Sequence, residues 1–246
     1  MSTTPKPLHV VGYPKSGNTY LSRLLADYLQ CNISASASDE INGVDNRTCK
    51  LGSDEWLIFK EHLRPTHISS EHVVVIVRDP RPVMESSYFH HNRWAQRLVC
   101  RSKYWGVVVL PHLILNCLFQ NISWGGNFLQ RLRGGFASEV GSWSSFYGEW
   151  ISSGNFAILR YEDLLADPEL QLERIIKQLQ LQEYCKKSLA DVIEAQRLER
   201  RLQEFESKDD AVNLQFLQRP KEIMPTWLRG LISARHRQMM CYFRYI

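Results

Sequence analysis

The stretch of sequence that decides the fold is Gly12-Tyr-Pro-Lys-Ser-Gly-Asn-Thr19. It follows an apolar run at residues 8–13, which predicts a short buried strand. It precedes residues 19–29, where apolar side chains recur at helical spacing. The two glycines allow the loop to wrap with its backbone amides pointing inward, and amides at a helix N-terminus bind anions. Because Lys15 adds a positive charge and Ser16, Asn18 and Thr19 add donors, the stretch predicts an anion-binding loop between a strand and a helix.

This loop differs from a Walker A sequence, in which a lysine and then a serine or threonine follow the second glycine. Here Asn18 occupies the lysine position, and Lys15 lies inside the loop. A nucleoside triphosphate held with a metal ion is therefore disfavoured. A nucleotide anion with less charge to neutralise, bound without metal, fits the loop better.

Further strands and helices alternate along the rest of the chain. Apolar runs predict strands at residues 56–60, 72–78 and 156–160, and residues 31–53 and 207–225 are predicted to be loops. Helices are predicted at residues 83–93, 134–153, 161–167, 169–180, 186–205 and 226–243. This alternation predicts one α/β domain over residues 1–246, with three layers: a central parallel sheet and helices on both of its faces.

Two apolar segments have structural explanations. Trp143, Phe146, Tyr147 and Trp150 recur at spacings of three and four, which places them on one helix face and is typical of a core. Residues 104–119 are apolar but are interrupted by a proline, a histidine and an asparagine, and the run is shorter than the roughly 20 residues of a membrane helix. We therefore expect no membrane span, and a buried helix or a hydrophobic acceptor pocket in that region.

The composition limits the class of protein. The chain has 246 residues, 44% of them hydrophobic, which suffices for one sizeable core. A net charge of +4 suits a small anionic ligand and does not argue for nucleic acid. The six cysteines include no CxxC pair, which indicates free thiols and no zinc or redox motif. With no secretory signal in the polar first residues, we expect a cytoplasmic protein.

In parallel sheets, ligands bind at the carboxyl ends of the strands, so the residues that follow each strand are candidate site residues. Lys60 and His62 follow the second predicted strand, where alternation places them on one face, and histidine accepts a proton near neutral pH. Arg78 ends the third strand and can hold a phosphate through two hydrogen bonds, with Ser86 in the helix beyond it. Tyr161 follows the fourth strand and could stack or donate a hydrogen bond. The alternatives at these positions are core packing for Tyr161, a structural or simply exposed position for His62, and an ion pair with Asp79 or with carboxylates at the sheet edge for Arg78.

Four of these segments together resemble a known family, the cytosolic-type sulfotransferases. Tyr13-Pro-Lys-Ser-Gly-Asn-Thr-Tyr20 is similar to the family's YPKSGTTW loop, and Lys60-Glu-His-Leu63 is similar to its KTHL segment. Arg78-Asp-Pro-Arg81 through Ser86 resembles RDPRDVAVS, and Tyr161-Glu-Asp-Leu164 resembles YEDL. Asn18 and Glu61 both stand where the family usually has threonine, and Tyr20 stands where it usually has tryptophan. The resemblance extends over residues 8–180 and implies a P-loop-like sulfotransferase fold.

The resemblance also implies a co-substrate, 3′-phosphoadenosine 5′-phosphosulfate (PAPS), and a role for each matching residue. Lys15 would stabilise the leaving oxygen, Lys60 would assist at the sulfuryl oxygens, and His62 would be the general base. The nucleotide would be held by Ser16, Gly17, Asn18 and Thr19 at the 5′-phosphate, by Arg78, Ser86 and Arg219 at the 3′-phosphate, and by Tyr20 and Tyr161 at the adenine.

Three functions remain open on the sequence: a PAPS-dependent sulfotransferase, a P-loop small-molecule kinase and a nucleotide-binding module without activity. Asn18 argues against the kinase, and Lys15, Lys60 and His62 argue against the inactive module. The aromatic middle of the chain, with Trp94, Trp105, Trp124 and Phe128, favours a small organic hydroxyl or amine as the acceptor. The oligomeric state is open.

Overall fold

The computed structural model describes residues 5–35, 55–68, 70–91, 109–111, 114, 140–154, 156–197 and 224–246. By its internal contacts the chain divides into two compact units. The first unit comprises residues 1–78 and 149–197, and the second comprises residues 79–148 and 198–246. The single domain expected from the sequence stays a prediction.

The secondary structure of the described residues follows the alternation predicted from the sequence. The strands are β1 (Lys6–Gly12), β2 (Asn32–Ala35), β3 (Trp56–Glu61), β4 (Val73–Val77) and β5 (Ala157–Arg160). The α-helices are α1 (Asn18–Leu29), α2 (Pro80–His91), α3 (Trp143–Ser153), α4 (Tyr161–Ala166), α5 (Pro168–Gln178), α6 (Leu189–Ala195), α7 (Thr226–Arg235) and α8 (Arg237–Tyr242). Short 3₁₀ helices lie at Pro65–His67 and Gln182–Tyr184.

All five strands belong to the first unit and form one parallel sheet in the order β2-β3-β1-β4-β5. The parallel sheet is confirmed, and so are the four strands predicted from the sequence, which correspond to β1, β3, β4 and β5. The loop predicted at residues 31–53 is wrong at its beginning, because residues 32–35 form the edge strand β2. The rest of that predicted loop, residues 36–53, lies outside the described residues.

The core of the first unit lies between one face of the sheet and helices α1 and α5. Leu8, Val10 and Ile58 come from alternate positions of β1 and β3, and they pack with residues such as Leu24 and Ile175 of these helices. Helix α5 begins at Pro168, one residue before the predicted start, because Pro168 takes its first position and the Asp167 side chain accepts a hydrogen bond from the Leu170 amide. This packing fixes α1, and with it the loop that leads from β1 into α1.

The second unit contains α2, most of α3, α7 and α8. Trp143, Phe146 and Tyr147 of α3 are fully buried, which confirms the core role predicted for the aromatic stripe. The single helix predicted at residues 226–243 is wrong. His236 separates α7 from α8. Its ring is buried, and Nδ1 is hydrogen-bonded to the Ser144 hydroxyl at 2.6 Å.

Three other predicted helices differ in extent. Helix α3 begins at Trp143 and residues 141 and 142 are not helical, so the helix predicted at residues 134–153 is shorter over its described part. Helix α2 begins at Pro80, earlier than predicted, because proline is favoured in a first helical turn. Helix α6 ends at Ala195, so the helix predicted at residues 186–205 is shorter over its described part. In the described ranges no helix is long and apolar enough to cross a membrane.

Candidate active site

The loop between β1 and α1 has the backbone geometry of a tight anion-binding turn. Lys15 and Gly17 both have positive φ angles, 69° and 103°, and the Ser16 amide donates to the Tyr13 carbonyl at 3.0 Å. The amides of Tyr20 and Leu21 both donate to the Gly17 carbonyl, so the helix begins directly after Gly17. As the first helical residues, Asn18 and Thr19 have amides with no acceptor inside the helix. These donors lie where the sequence places the anion.

Both glycines of the loop are required by close contacts. At Gly12, an added Cβ would lie 2.6 Å from the Ile76 carbonyl oxygen and 2.6 Å from Oδ1 of Asn18. At Gly17, it would lie 2.3 Å from the ring of Tyr161. The glycine spacing in the sequence therefore reflects two approaches, one by the neighbouring strand β4 and one by the residue that follows β5.

His62 lies immediately beyond β3 and is joined to the end of β1. Its Nδ1 atom is 2.7 Å from the Gly12 carbonyl oxygen. A carbonyl oxygen only accepts hydrogen bonds, so Nδ1 carries the proton in the neutral ring, and the lone pair is on Nε2. This arrangement gives His62 a nitrogen that can accept a proton.

The backbone on either side of His62 is held by other parts of the first unit. Before it, the Glu61 carboxylate is 2.9 Å from Nδ1 of His9, and Glu61 is 8% exposed. After it, Nε1 of Trp150 donates to the Leu63 carbonyl at 3.1 Å, and Arg64 forms an ion pair with Glu149. The position of the imidazole is therefore fixed by β1 and α3.

Lys60 is the last residue but one of β3. Because side chains alternate along a strand, Lys60 lies on the face opposite that of Glu61, whose side chain meets His9 on β1. Lys60 is half-buried. Lys60 therefore lies on the same face of β3 as Ile58, which packs in the core with helix α1.

Arg78 and Tyr161 follow adjacent strands and stack on each other. The Arg78 guanidinium carbon is 4.5 Å from the centroid of the Tyr161 ring, within the range of a cation–π interaction. Nη1 of Arg78 donates to the Lys15 carbonyl oxygen at 3.0 Å. Arg78 therefore supports the anion-binding loop directly, a contact that its place at a strand end does not reveal.

The carboxylate of Asp79, considered above as an ion-pair partner of Arg78, binds Arg81 within the second unit. There, Nε of Arg81 donates to the Asp79 carboxylate at 2.9 and 3.0 Å. Ser86 also belongs to the second unit, where it is 3% exposed on α2.

The remaining predicted nucleotide contacts are placed as follows. Ser16 is fully buried, and Tyr20 packs against the core of the first unit. Burial raises the pKa of the Tyr20 hydroxyl, with a smaller contribution from Tyr161. Arg219 lies outside the described residues, as do Trp94, Trp105, Trp124 and Phe128 of the predicted acceptor region. Their roles stay predictions.

Three residues around His62 were not identified from the sequence. The sequence pattern places His9 in a strand, Glu149 in the aromatic helix and Trp150 in the core, and indicates no role for them near His62. The parallel register of β1 and β3 pairs His9 with Phe59, which shares a strand face with Glu61 two residues further on. The contacts of Glu149 and Trp150 join residues more than 80 positions apart, and no local pattern indicates them.

Comparisons with known proteins identify the family to which the chain belongs. A family model described as the sulfotransferase domain matches residues 5–208. The chain therefore belongs to the sulfotransferase domain family, an enzyme family that transfers sulfuryl groups.

The structure also resembles a solved sulfotransferase. It superimposes on mouse sulfotransferase SULT7A1, in its crystal structure complexed with PAP, with a TM-score of 0.57. The two are 16% identical, and the match covers 97% of this chain and 84% of that chain. This likeness concerns the fold: a parallel five-stranded sheet with helices around it. None of the curated proteins matches the chain in sequence.

Proposed function

We propose that this protein transfers the sulfuryl group of PAPS to a hydroxyl or amine of a small organic acceptor. The observation that carries this proposal is the bond between Nδ1 of His62 and the Gly12 carbonyl, 2.7 Å long. It holds a proton acceptor, Nε2, at the end of the strand that leads into the anion-binding loop. A base next to an anion-binding loop is what sulfuryl transfer from a nucleotide requires.

In the proposed reaction, Nε2 of His62 takes the proton of the acceptor hydroxyl or amine. The acceptor atom then forms a bond to sulfur, and the bond from sulfur to the bridging oxygen of the 5′-phosphate breaks. The electron pair of that bond goes to adenosine 3′,5′-bisphosphate (PAP), the leaving group. As in phosphoryl transfer, positioning and stabilisation of charge supply most of the rate enhancement.

The charge that develops on the leaving oxygen would be stabilised by Lys15, and Lys60 would act at the sulfuryl oxygens. The backbone amides of residues 16–19, with the side chains of Ser16 and Thr19, would hold the 5′-phosphate, as helix N-termini hold phosphates generally. A positioned general base contributes about 10²–10⁴-fold to such a reaction.

Arg78 is proposed to hold the 3′-phosphate while it supports the loop. A guanidinium has five N–H donors in a planar fork, so a bond to the Lys15 carbonyl is compatible with a bond to a phosphate. Tyr161, stacked with Arg78, would place the adenine side of the nucleotide. Ser86 and Arg219 as further 3′-phosphate ligands rest on the family resemblance alone.

The kinase alternative has less support. The side chain of Asn18, at the position of the Walker lysine, donates to the carbonyls of Glu61 and Gly12. A neutral amide bound to backbone carbonyls does not supply the charge that a lysine brings to a triphosphate.

The proposal is tested by incubating the protein with PAPS and a panel of phenols, alcohols, amines and glycans, and measuring PAP and the sulfated products together. We expect PAP release that depends on a small hydroxyl or amine acceptor, with one sulfated product for each PAP. If PAP binds but no acceptor is sulfated, the protein is a nucleotide-binding module. If glycans alone are sulfated, the proposed acceptor class is wrong.

A further inference from the structure

The side chain of Asn18 joins the carboxyl ends of two neighbouring strands. Asn18 is the first residue of α1 and is 4% exposed. Its Nδ2 atom donates to the Glu61 carbonyl at 2.9 Å and, more weakly, to the Gly12 carbonyl at 3.3 Å. Gly12 ends β1 and Glu61 ends β3, and these strands are paired. One amide group therefore fixes the spacing of two strand ends at the anion-binding loop.

The contacts of Asn18 determine the orientation of its amide. With the amide flipped, Oδ1 would face two carbonyl oxygens, which only accept hydrogen bonds. In the observed orientation Oδ1 is buried, and it has no hydrogen-bond partner within the described part of the chain. An unpaired buried acceptor is unfavourable, so the reason for an amide at this position lies in the two bonds that Nδ2 donates. Threonine has one hydroxyl hydrogen and could serve only one of the two carbonyls at a time.

The same amide approaches the ring of His62. Nδ2 of Asn18 is 3.5 Å from Nδ1 of His62, and both atoms meet at the Gly12 carbonyl oxygen. If the ring proton were on Nε2, Nδ1 would accept from Asn18 at this long distance and would face the carbonyl lone pairs at 2.7 Å. With the proton on Nδ1, Asn18 and His62 both donate to the carbonyl, which has two lone pairs. The short distance of 2.7 Å favours the second arrangement.

We propose that Asn18 is a positioning residue for His62. Its amide holds the Gly12 carbonyl in place, and this carbonyl keeps the ring proton on Nδ1, so that Nε2 is the atom that accepts the proton of the acceptor substrate. The role of Nε2 in turnover rests on the proposed function, whereas the tautomer of His62 does not. The Asn18 side chain thus positions His62, and the nucleotide binds only the backbone amide of Asn18.

The tautomer is measured directly in the free protein. ¹⁵N-labelled protein is examined by a long-range ¹H–¹⁵N correlation spectrum at a pH where the imidazole is neutral, and the signals of His62 are assigned by their loss in His62→Gln. We expect the Nδ1-protonated tautomer in the wild type and a mixture, or the Nε2-protonated tautomer, in Asn18→Thr. An Nε2-protonated ring in the wild type would overturn the proposal without any variant of Asn18.

Steady-state kinetics with PAPS then separates positioning from nucleotide binding. For Asn18→Thr we expect kcat to fall about 10- to 100-fold, as for other residues that orient a catalytic group, with KM for PAPS unchanged. The matched control is Ser22→Ala, one turn further along α1, where a buried hydroxyl without a partner in the described residues is removed. This control should keep the wild-type kcat and tautomer.

Two results would contradict the assignment. A rise in KM for PAPS at unchanged kcat would make the Asn18 side chain a nucleotide ligand. An unchanged His62 tautomer in a folded Asn18→Thr protein would show that Gly12 holds the ring without help. If wild-type protein turns over no acceptor at all, the proposed function fails, while the tautomer measurement still decides the relation between Asn18 and His62.

Discussion

The ring of Tyr161 lies directly against the backbone of Gly17. A Cβ added to Gly17 would be 2.3 Å from Cδ2 of the ring, closer than real side chains approach. The Arg78 guanidinium lies over the same ring and donates to the Lys15 carbonyl. The loop that follows β1 is thus supported by residues at the ends of two other strands, β4 and β5, and its shape depends on their contacts.

We expect Gly17→Ala to weaken PAP binding strongly. The substitution forces a side chain into a backbone conformation with φ of 103° and into the Tyr161 ring. The backbone strain alone costs about 1–3 kcal/mol. Calorimetric titration with PAP and urea unfolding measure the two effects.

The control for this substitution is Gly154→Ala. Gly154 also has a positive φ, 71°, but nothing lies within 4 Å of the added Cβ. It should lose stability and keep its affinity for PAP. Equal PAP affinity in the two variants would mean that the contact between Gly17 and Tyr161 does not shape the nucleotide site.

We expect His62→Ala to bind PAP as the wild type does and to lose turnover by about 10²–10⁴-fold, because it removes the proton acceptor and leaves the loop amides in place. Product formation from PAPS and titration with PAP measure the two properties. His67→Ala, which changes an exposed histidine of the 3₁₀ helix that follows, is the control and should turn over normally. A fully active His62→Ala protein would remove His62 as the base.

The sequence was sufficient for the features that depend on local pattern. The glycine loop, the four apolar strands and the residues following them could be predicted because burial and turn formation leave a signal within a few residues. The edge strand Asn32–Ala35 left none, since it is four residues long and half of it is polar. The break at His236 was missed because residues 226–243 keep a helical pattern throughout, and only the packing of the His236 ring interrupts it.

The site was predictable as a set of residues and less so as a set of contacts. Lys15, His62 and Arg78 could be chosen because ligands collect at the carboxyl ends of parallel strands. That Arg78 binds the carbonyl of Lys15, or that the Asn18 amide bridges two strand ends, depends on strand order and register. Such contacts between distant residues have no signal in a single sequence.

Arg78 has two proposed roles, binding of the 3′-phosphate and support of the loop through the Lys15 carbonyl. They are separated by comparing two ligands, one with a 3′-phosphate and one without it. We expect Arg78→Lys to weaken PAP binding by about tenfold or more and to weaken adenosine 5′-monophosphate binding less, because only PAP carries the 3′-phosphate. Calorimetric titration of both ligands into both proteins gives the ratio. Arg174→Lys, which alters an exposed arginine on α5, is the matched control. Equal losses for the two ligands would limit Arg78 to support of the loop.

The stability of the protein should fall as the pH falls from about 6.5 to about 4, because of His236. Burial, and to a smaller degree Arg235, lowers the pKa of His236 from 6.5 to about 4. Over that range the unfolded chain gains a proton at this residue and the folded chain does not, so the unfolded state is favoured by up to about 3 kcal/mol. Urea unfolding at several pH values measures the slope.

In His236→Gln this part of the pH dependence should disappear, while His67→Gln should retain it. The burial of His72 lowers its pKa as well, so a smaller slope of the same sign should remain in His236→Gln. An unchanged slope in that variant would show that His236 takes up its proton without unfolding.

The measurement that tests the central claim most directly is the free energy of unfolding of the wild-type protein. It is compared without ligand, with PAP, and with ATP and magnesium. PAP at about 100 times its Kd should raise the free energy of unfolding by about 2.7 kcal/mol, and ATP with magnesium should leave it unchanged. Stabilisation by ATP with magnesium and none by PAP would contradict the assignment of the loop from Gly12 to Thr19 to a PAPS-dependent sulfotransferase.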